Sequence, residues 1–355
     1  MPKQITIHVG APKTGTSSIQ GFLAANDELL RQRGLLYPTG RLHPVFGAAI
    51  NHSVLVFALT GMMHHLFDFD RDTARQITHE SLAKALADPE NDHVLLSHEM
   101  LYSTINDLDV DLLQEIIGDN AVRILIYARR LDDWNESLYR QIIWGRIQPT
   151  STVHHGLRIP KIEDTPHIRN LAQHSPGAVA DRYAEILPQA EITVRPFSIH
   201  QKNGGLISGF LDVLGVPTEK ILADAQPPRR LNTSRPNAAT LLLWHLQQTD
   251  LPTDVIFKVS RAALKQAKIE NPPEDIESGK FHFLPEKFAR LGRSIYANDV
   301  RRFPSLSVDE ELAPIVRGPM AADLSHADQM RVLEWLAPHL QQSLYSAVAT
   351  ALSQN

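Results

Sequence analysis

Three short stretches of this 355-residue chain carry residue types and spacings that could do chemistry. The first is Gly10-Ala11-Pro12-Lys13-Thr14-Gly15-Thr16-Ser17-Ser18, which follows the β-branched run of residues 5–9. Its glycines let the backbone approach a guest with no Cβ in the way. Lys13 brings a mobile cation, and Thr14, Thr16, Ser17 and Ser18 bring hydroxyl donors. A helix starting after Gly15 aims its first N–H groups and its positive dipole end at the same point. Every group here donates, so a phosphate or sulfate group suits the loop. Gly10 and Gly15 are spaced as in the Walker A pattern G-x-x-x-x-G-K-[ST]. Thr16, however, stands where that pattern has its lysine, and the lysine comes early, as Lys13.

The second stretch is Ser97-His98-Glu99, at the end of the apolar run 93–96. It sets two proton acceptors side by side. A glutamate needs some burial to bring its pKa toward neutrality and serve as a base. The third is IYARRLDDWNES, in which Arg129 and Ser137 are eight positions apart. That distance is a strand end, a loop and the first turn or so of a helix, so both side chains can meet one anion. Arg130 is expected to pair with Asp132, Asp133 or Glu136.

Other candidates carry less. His98-Glu99-Met100-Leu101-Tyr102 opens like the zinc motif H-E-x-x-H but has Tyr102 in place of the second histidine. His64-His65 and His154-His155 are adjacent pairs, not i,i+4 pairs, so no metal site is expected. With Phe67, Phe69 and Trp144 these histidines are candidates to line an acceptor pocket. Arg229-Arg230-Leu231-Asn232 is a basic cluster read as a surface loop.

The elements that must position these residues follow from periodicity. Residues 5–9, 93–96, 122–127 and 192–194 read as strands. Residues 17–33, 109–117, 132–144, 178–187 and 206–214 read as helices between and after them. Such alternation implies a parallel sheet covered on both faces, a three-layer α/β/α arrangement. Residues 40–92 form a helical insertion, and residues 145–176 a long loop. From residue 221 to 355 the chain reads as a mainly helical region packing on a core of residues 1–220, with helices at 236–249 and 323–352 and a break at Pro338.

PKTGTSS after a strand resembles the 5′-phosphosulfate loop of sulfotransferases that use 3′-phosphoadenosine 5′-phosphosulfate. That family also has lysine before the glycine, and an arginine followed eight positions on by a serine. Val194-Arg195-Pro196-Phe197 and the helix ending at Leu214-Gly215 are similar to bacterial members. The likeness covers roughly residues 4–217. It implies a P-loop NTPase-like fold, the phosphosulfate nucleotide as co-substrate, no metal, and 3′-phosphoadenosine 5′-phosphate as product. Lys13 would bond the bridging oxygen, while Thr14, Gly15, Thr16, Ser17 and Ser18 hold the 5′-phosphate. Arg129 and Ser137 would grip the 3′-phosphate. The family's base is a glutamate toward glycan-type acceptors and a histidine toward phenols and steroids, so Glu99 is the favoured base and His98 the alternative. The acceptor would be a saccharide, a lipid headgroup or a small alcohol or amine.

Composition narrows the classes. The chain has no cysteine, which excludes disulfides, thiolate metal sites and cysteine nucleophiles. A net charge of −5 and a pI near 6.4 argue against nucleic acid as a partner. No apolar run approaches a membrane span, and Met1-Pro2-Lys3-Gln4 shows no leader pattern, so a soluble cytoplasmic protein is expected. Two other functions stay open. A nucleotide or small-molecule kinase with a degenerate loop would need magnesium and a lysine after Gly15. A non-catalytic module would bind the nucleotide without transferring anything.

Overall fold

The structure is a computed structural model. It describes residues 2–39, 44–46, 50–147, 162–197, 205–227, 235–306 and 318–354. His154, His155 and the cluster at Arg229 and Arg230 lie outside the described residues. Two compact units emerge. The first comprises Met1–Leu131, Leu171–Asn232 and Arg293–Ala313, and the second Asp132–Asn170, Thr233–Gly292 and Pro314–Asn355. Residues 132–170 belong with the C-terminal helices, not with the sheet.

The first unit is built on five parallel strands: β1 (Gln4–His8), β2 (Leu35–Leu36), β3 (His93–Ser97), β4 (Ala121–Ala128) and β5 (Glu191–Pro196). Their order is β2-β3-β1-β4-β5. The inner strands are buried on both faces, which is why their sequences run apolar without a break. In β1, Ile5 and Ile7 fill one face, while Thr6 and His8 fill the other, level with Leu95 and Ser97 of β3. From β1 the chain moves to the β2 edge, and every later crossover moves the other way. With right-handed crossovers the covering helices fall on opposite faces, and the loop after β1 lies at the topological switch point.

Helix α1 (Thr16–Ala25) leaves that loop, followed by α2 (Asp27–Arg31). The single helix expected over 17–33 is interrupted at Asn26. Its amide side chain exchanges hydrogen bonds with the backbone of Gln226 at 2.7 and 3.1 Å, a tether 200 residues long that no local pattern announces. The insertion supplies α3 (Ser53–Thr60) and α4 (Arg71–Ala87), and after β3 come α5 (Met100–Ser103) and α6 (Val110–Ile117). Helix α7 (Leu131–Ile147) follows β4, and α8 (Pro166–Arg169) lies in the stretch expected to be loop. In the first unit α9 (Pro176–Ile186) packs on β4 and β5. Beyond β5, α10 (Leu206–Leu214) joins α1 over the face of Leu95, Leu125 and Tyr127, and α11 (Thr218–Asp224) follows it. Helices thus cover both faces of the sheet in a three-layer α/β/α fold.

The second unit is helical: most of α7, then α8, α12 (Asn237–Leu246), α13 (Thr253–Gln266), α14 (Glu274–Glu277), the start of α15 (Glu286–Arg302), α16 (His326–Leu336) and α17 (Gln342–Ser353). The break expected at Pro338 separates α16 from α17. Its core gathers Ile143 and Trp144 with Leu242, Leu246, Val259, Leu333 and Leu336. No helix among the described residues is long and apolar enough to cross a membrane.

Candidate functional site

Parallel strands put their carboxyl ends on one edge, so residues far apart in sequence meet there. His8 is paired with Ser97 on one side and Leu125 on the other. The loop is stitched down by backbone bonds from Val9 N to Leu125 O at 2.9 Å and from Ala11 N to Tyr127 O at 3.0 Å. It then turns sharply. Lys13 is left-handed at φ 70°, and Gly15 follows at φ 76°. A lysine in that region carries strain of order 1 kcal/mol, which persists only where the surroundings impose it. Such alternation turns successive N–H groups into one concavity. Gly15 has no room for a side chain, since a Cβ there would stand 2.3 Å from Leu206 Cδ2. The first two amides of α1, those of Thr16 and Ser17, find no acceptor among the described residues.

The floor of the loop is polar and buried. A Cβ on Gly10 would stand 2.8 Å from His8 Nε2, 2.9 Å from Thr16 Oγ1 and 3.0 Å from Thr14 Oγ1. Glycine is required because three polar atoms close on its Cα. Thr14 donates its hydroxyl proton to Ala11 O at 2.6 Å. His8 is fully buried against Tyr127 and Phe210, and burial pushes its pKa down to about 3, so the ring is neutral. Its Nδ1 lies 2.8 Å from Ser97 Oγ, which itself accepts a bond from Gln20 Nε2 at 3.2 Å. With the serine donating to Nδ1, which satisfies its hydroxyl proton, the ring proton is assigned to Nε2. That N–H has no partner among the described residues and lies beneath the loop. A buried donor left unmade costs about 1–3 kcal/mol, so it marks a place where an acceptor belongs.

Beside the loop, at the end of β3, the two candidate bases part company. His98 is buried, at 1% exposure. Its Nδ1 accepts the Met100 N–H at 3.0 Å, and its Nε2 donates to Ser53 Oγ at 3.2 Å. Burial holds its pKa below the ordinary value, against the opposing pull of Glu99. Both ring nitrogens are occupied, which leaves no lone pair for a substrate proton. Glu99 keeps 30% of its side chain exposed. Its Oε2 lies 3.4 Å from Nε2 of Gln20 on α1, a long contact, and 3.8 Å from His98 Nδ1. The carboxylate is held near the loop's own helix with lone pairs to spare.

Arg129 follows β4 and donates from Nη1 to Lys13 O at 2.9 Å. The guanidinium thus clasps the strained residue of the loop through one of its five N–H groups. Ser137 belongs to the second unit, half-buried on α7. Trp144 is in that unit's core and donates to Thr240 Oγ1 at 2.9 Å, so it is a packing residue and not a pocket wall. Phe67 and Phe69 cluster with Phe57 in the first unit, while His64 and His65 are exposed.

Sequence reasoning missed His8, Gln20 and His52. His52 accepts the Ser97 N–H at 3.0 Å and bonds Pro38 O at 2.8 Å, anchoring the start of α3 to the end of β3. A histidine inside the run ITIHV was the one available signal for His8. Nothing in the sequence singles out Gln20 or His52. The chain matches no protein-family model, no curated protein and no solved structure.

Proposed function

We propose that the first unit is a sulfotransferase that takes its sulfuryl group from 3′-phosphoadenosine 5′-phosphosulfate. One observation carries this reading: the fully buried His8 Nε2–H beneath Gly10, which has no partner among the described residues, beside the threonine hydroxyls and the first two amides of α1, which have none there either. A neutral donor set of this kind suits an anion that arrives with its charge in place. The loop then holds the 5′-phosphate through the amides of Gly15, Thr16 and Ser17 and the hydroxyls of Thr16, Ser17 and Ser18, while Thr14, bonded to Ala11 O, fixes the turn. Lys13 stabilises charge building on the bridging oxygen as the sulfur–oxygen bond breaks, an electrostatic role worth most in a site shielded from water. Within this unit Arg129 keeps the 3′-phosphate role that the family likeness gives it. Glu99 takes the proton of the attacking hydroxyl or amine, because His98 has no free lone pair.

Isothermal calorimetry with 3′-phosphoadenosine 5′-phosphate, ADP and ATP tests the proposal. Binding of the 3′-phosphorylated nucleotide at least tenfold tighter than ADP, without magnesium, is the expected result. Preference for magnesium-ATP would replace it with a kinase. Turnover of the phosphosulfate donor separates an enzyme from a binding module.

A further inference from the structure

We infer that the second unit carries a docking groove for an acidic amphipathic helix of a partner protein. A cavity of about 1270 Å³ opens between α13 and the segment running from His339 into α17. Lys258, Arg261, Lys265 and Lys268 border it. Lys258, Arg261 and Lys265, at i, i+3 and i+7, share one stripe along about 10 Å of α13, and Lys268 continues it in the turn after the helix. Lys258 pairs with Asp254 at 3.1 Å. Arg261, Lys265 and Lys268 make no ion pair among the described residues, and Arg261 lies 5.9 Å above the Phe257 ring. Half-buried Leu264 and Leu344 contribute apolar lining beside the stripe. In a chain of net charge −5 this is a concentrated local excess of positive charge.

Charge complementarity selects the occupant. Four cations spread over this length call for a row of carboxylates, not for one anionic head. The apolar lining calls for leucine-like side chains beside that row. A helix with acidic residues three or four apart and an adjoining apolar stripe supplies both and fits a concave groove. A membrane surface would need a flat or convex contact instead. The groove is independent of the nucleotide loop.

The test uses the full-length protein and a fluorescein-labelled 18-residue helical peptide with glutamates three and four apart beside a leucine stripe. A scrambled peptide of the same composition, phosphatidylserine vesicles and duplex DNA serve as competing probes. The striped peptide should bind at least tenfold tighter than the scrambled one and weaken severalfold from 50 to 300 mM salt. The double variant Lys265→Glu/Lys268→Glu should lose at least tenfold, with its helical content checked by circular dichroism. Leu344→Ser, which keeps all four charges, should lose severalfold. Equal binding of the two peptides, no binding of the striped one, unchanged affinity in the variants, or tighter capture by vesicles or DNA would overturn the proposal. Self-association that disappears with the double variant would reassign the groove to a second copy of the chain.

Discussion

Two glutamates, one buried and one half-buried, show how the two units hold a carboxylate. Glu136, in the second unit, has 9% of its side chain exposed and accepts bonds from the amides of Phe283 at 3.1 Å and Leu284 at 2.8 Å, with His282 at 3.5 Å. It joins α7 to the segment before α15. Glu99, at the sheet edge of the first unit, is 30% exposed and makes one long contact with Gln20 at 3.4 Å. One carboxylate has its lone pairs committed to structure, whereas the other is positioned with its lone pairs left over. Residue type does not separate the two carboxylates, but exposure and hydrogen-bond partners do.

The sharpest way to break that contrast is chemical. Glu99→Gln should cut sulfate release from the phosphosulfate donor, with water as acceptor, by about 10²–10⁴-fold while leaving nucleotide affinity unchanged. Calorimetry beside a sulfate assay reads both, and an unaltered rate would remove Glu99 from the chemistry. Glu136→Ala should behave in the opposite way. It strands two buried amides and should cost about 3 kcal/mol of stability by urea unfolding, against less than about 1 kcal/mol for Glu99→Gln. Equal costs would erase the distinction.

A further expected effect, spread over two side chains, concerns acid. Burial lowers His8 to about 3 and His52 to about 4, both from an unfolded value near 6.5. A histidine with a depressed folded pKa supports the fold at neutral pH and loses that support as pH falls below the unfolded value. Each should therefore remove about 2 kcal/mol between pH 7 and pH 5. Hydrogen exchange at pH 5 should show β1 and β3 losing protection before α12 and α13. A pH-independent urea midpoint would mean these rings are not held neutral.

What the sequence revealed follows the range of each interaction. Residues 93–96 and 122–127 are legible as strands because burial on both faces writes itself into consecutive residues. β2 has only two residues, too few for any period to show. The Gly10 to Ser18 loop and the triplet ending at Glu99 are legible because their chemistry is local. His8 acts through Ser97, 89 positions away, and Gln20 through the same serine at 77, so their roles exist only once the strands are in register. The membership of residues 132–170 in the second unit is hidden for the same reason. Its bonds from Glu136 span 147 and 148 positions.

The central place of β1 also sets a timetable. In synthesis β1 has no neighbour until residue 93 has emerged and no second one until residue 121. At 5–20 residues per second that is a wait of roughly 5–25 s with Ile5 and Ile7 exposed. Contacts this distant in sequence also close slowly in refolding. The nascent chain should therefore lean on chaperones that shield β1, and the loop after β1 is not stitched down until Leu125 and Tyr127 of β4 have been made.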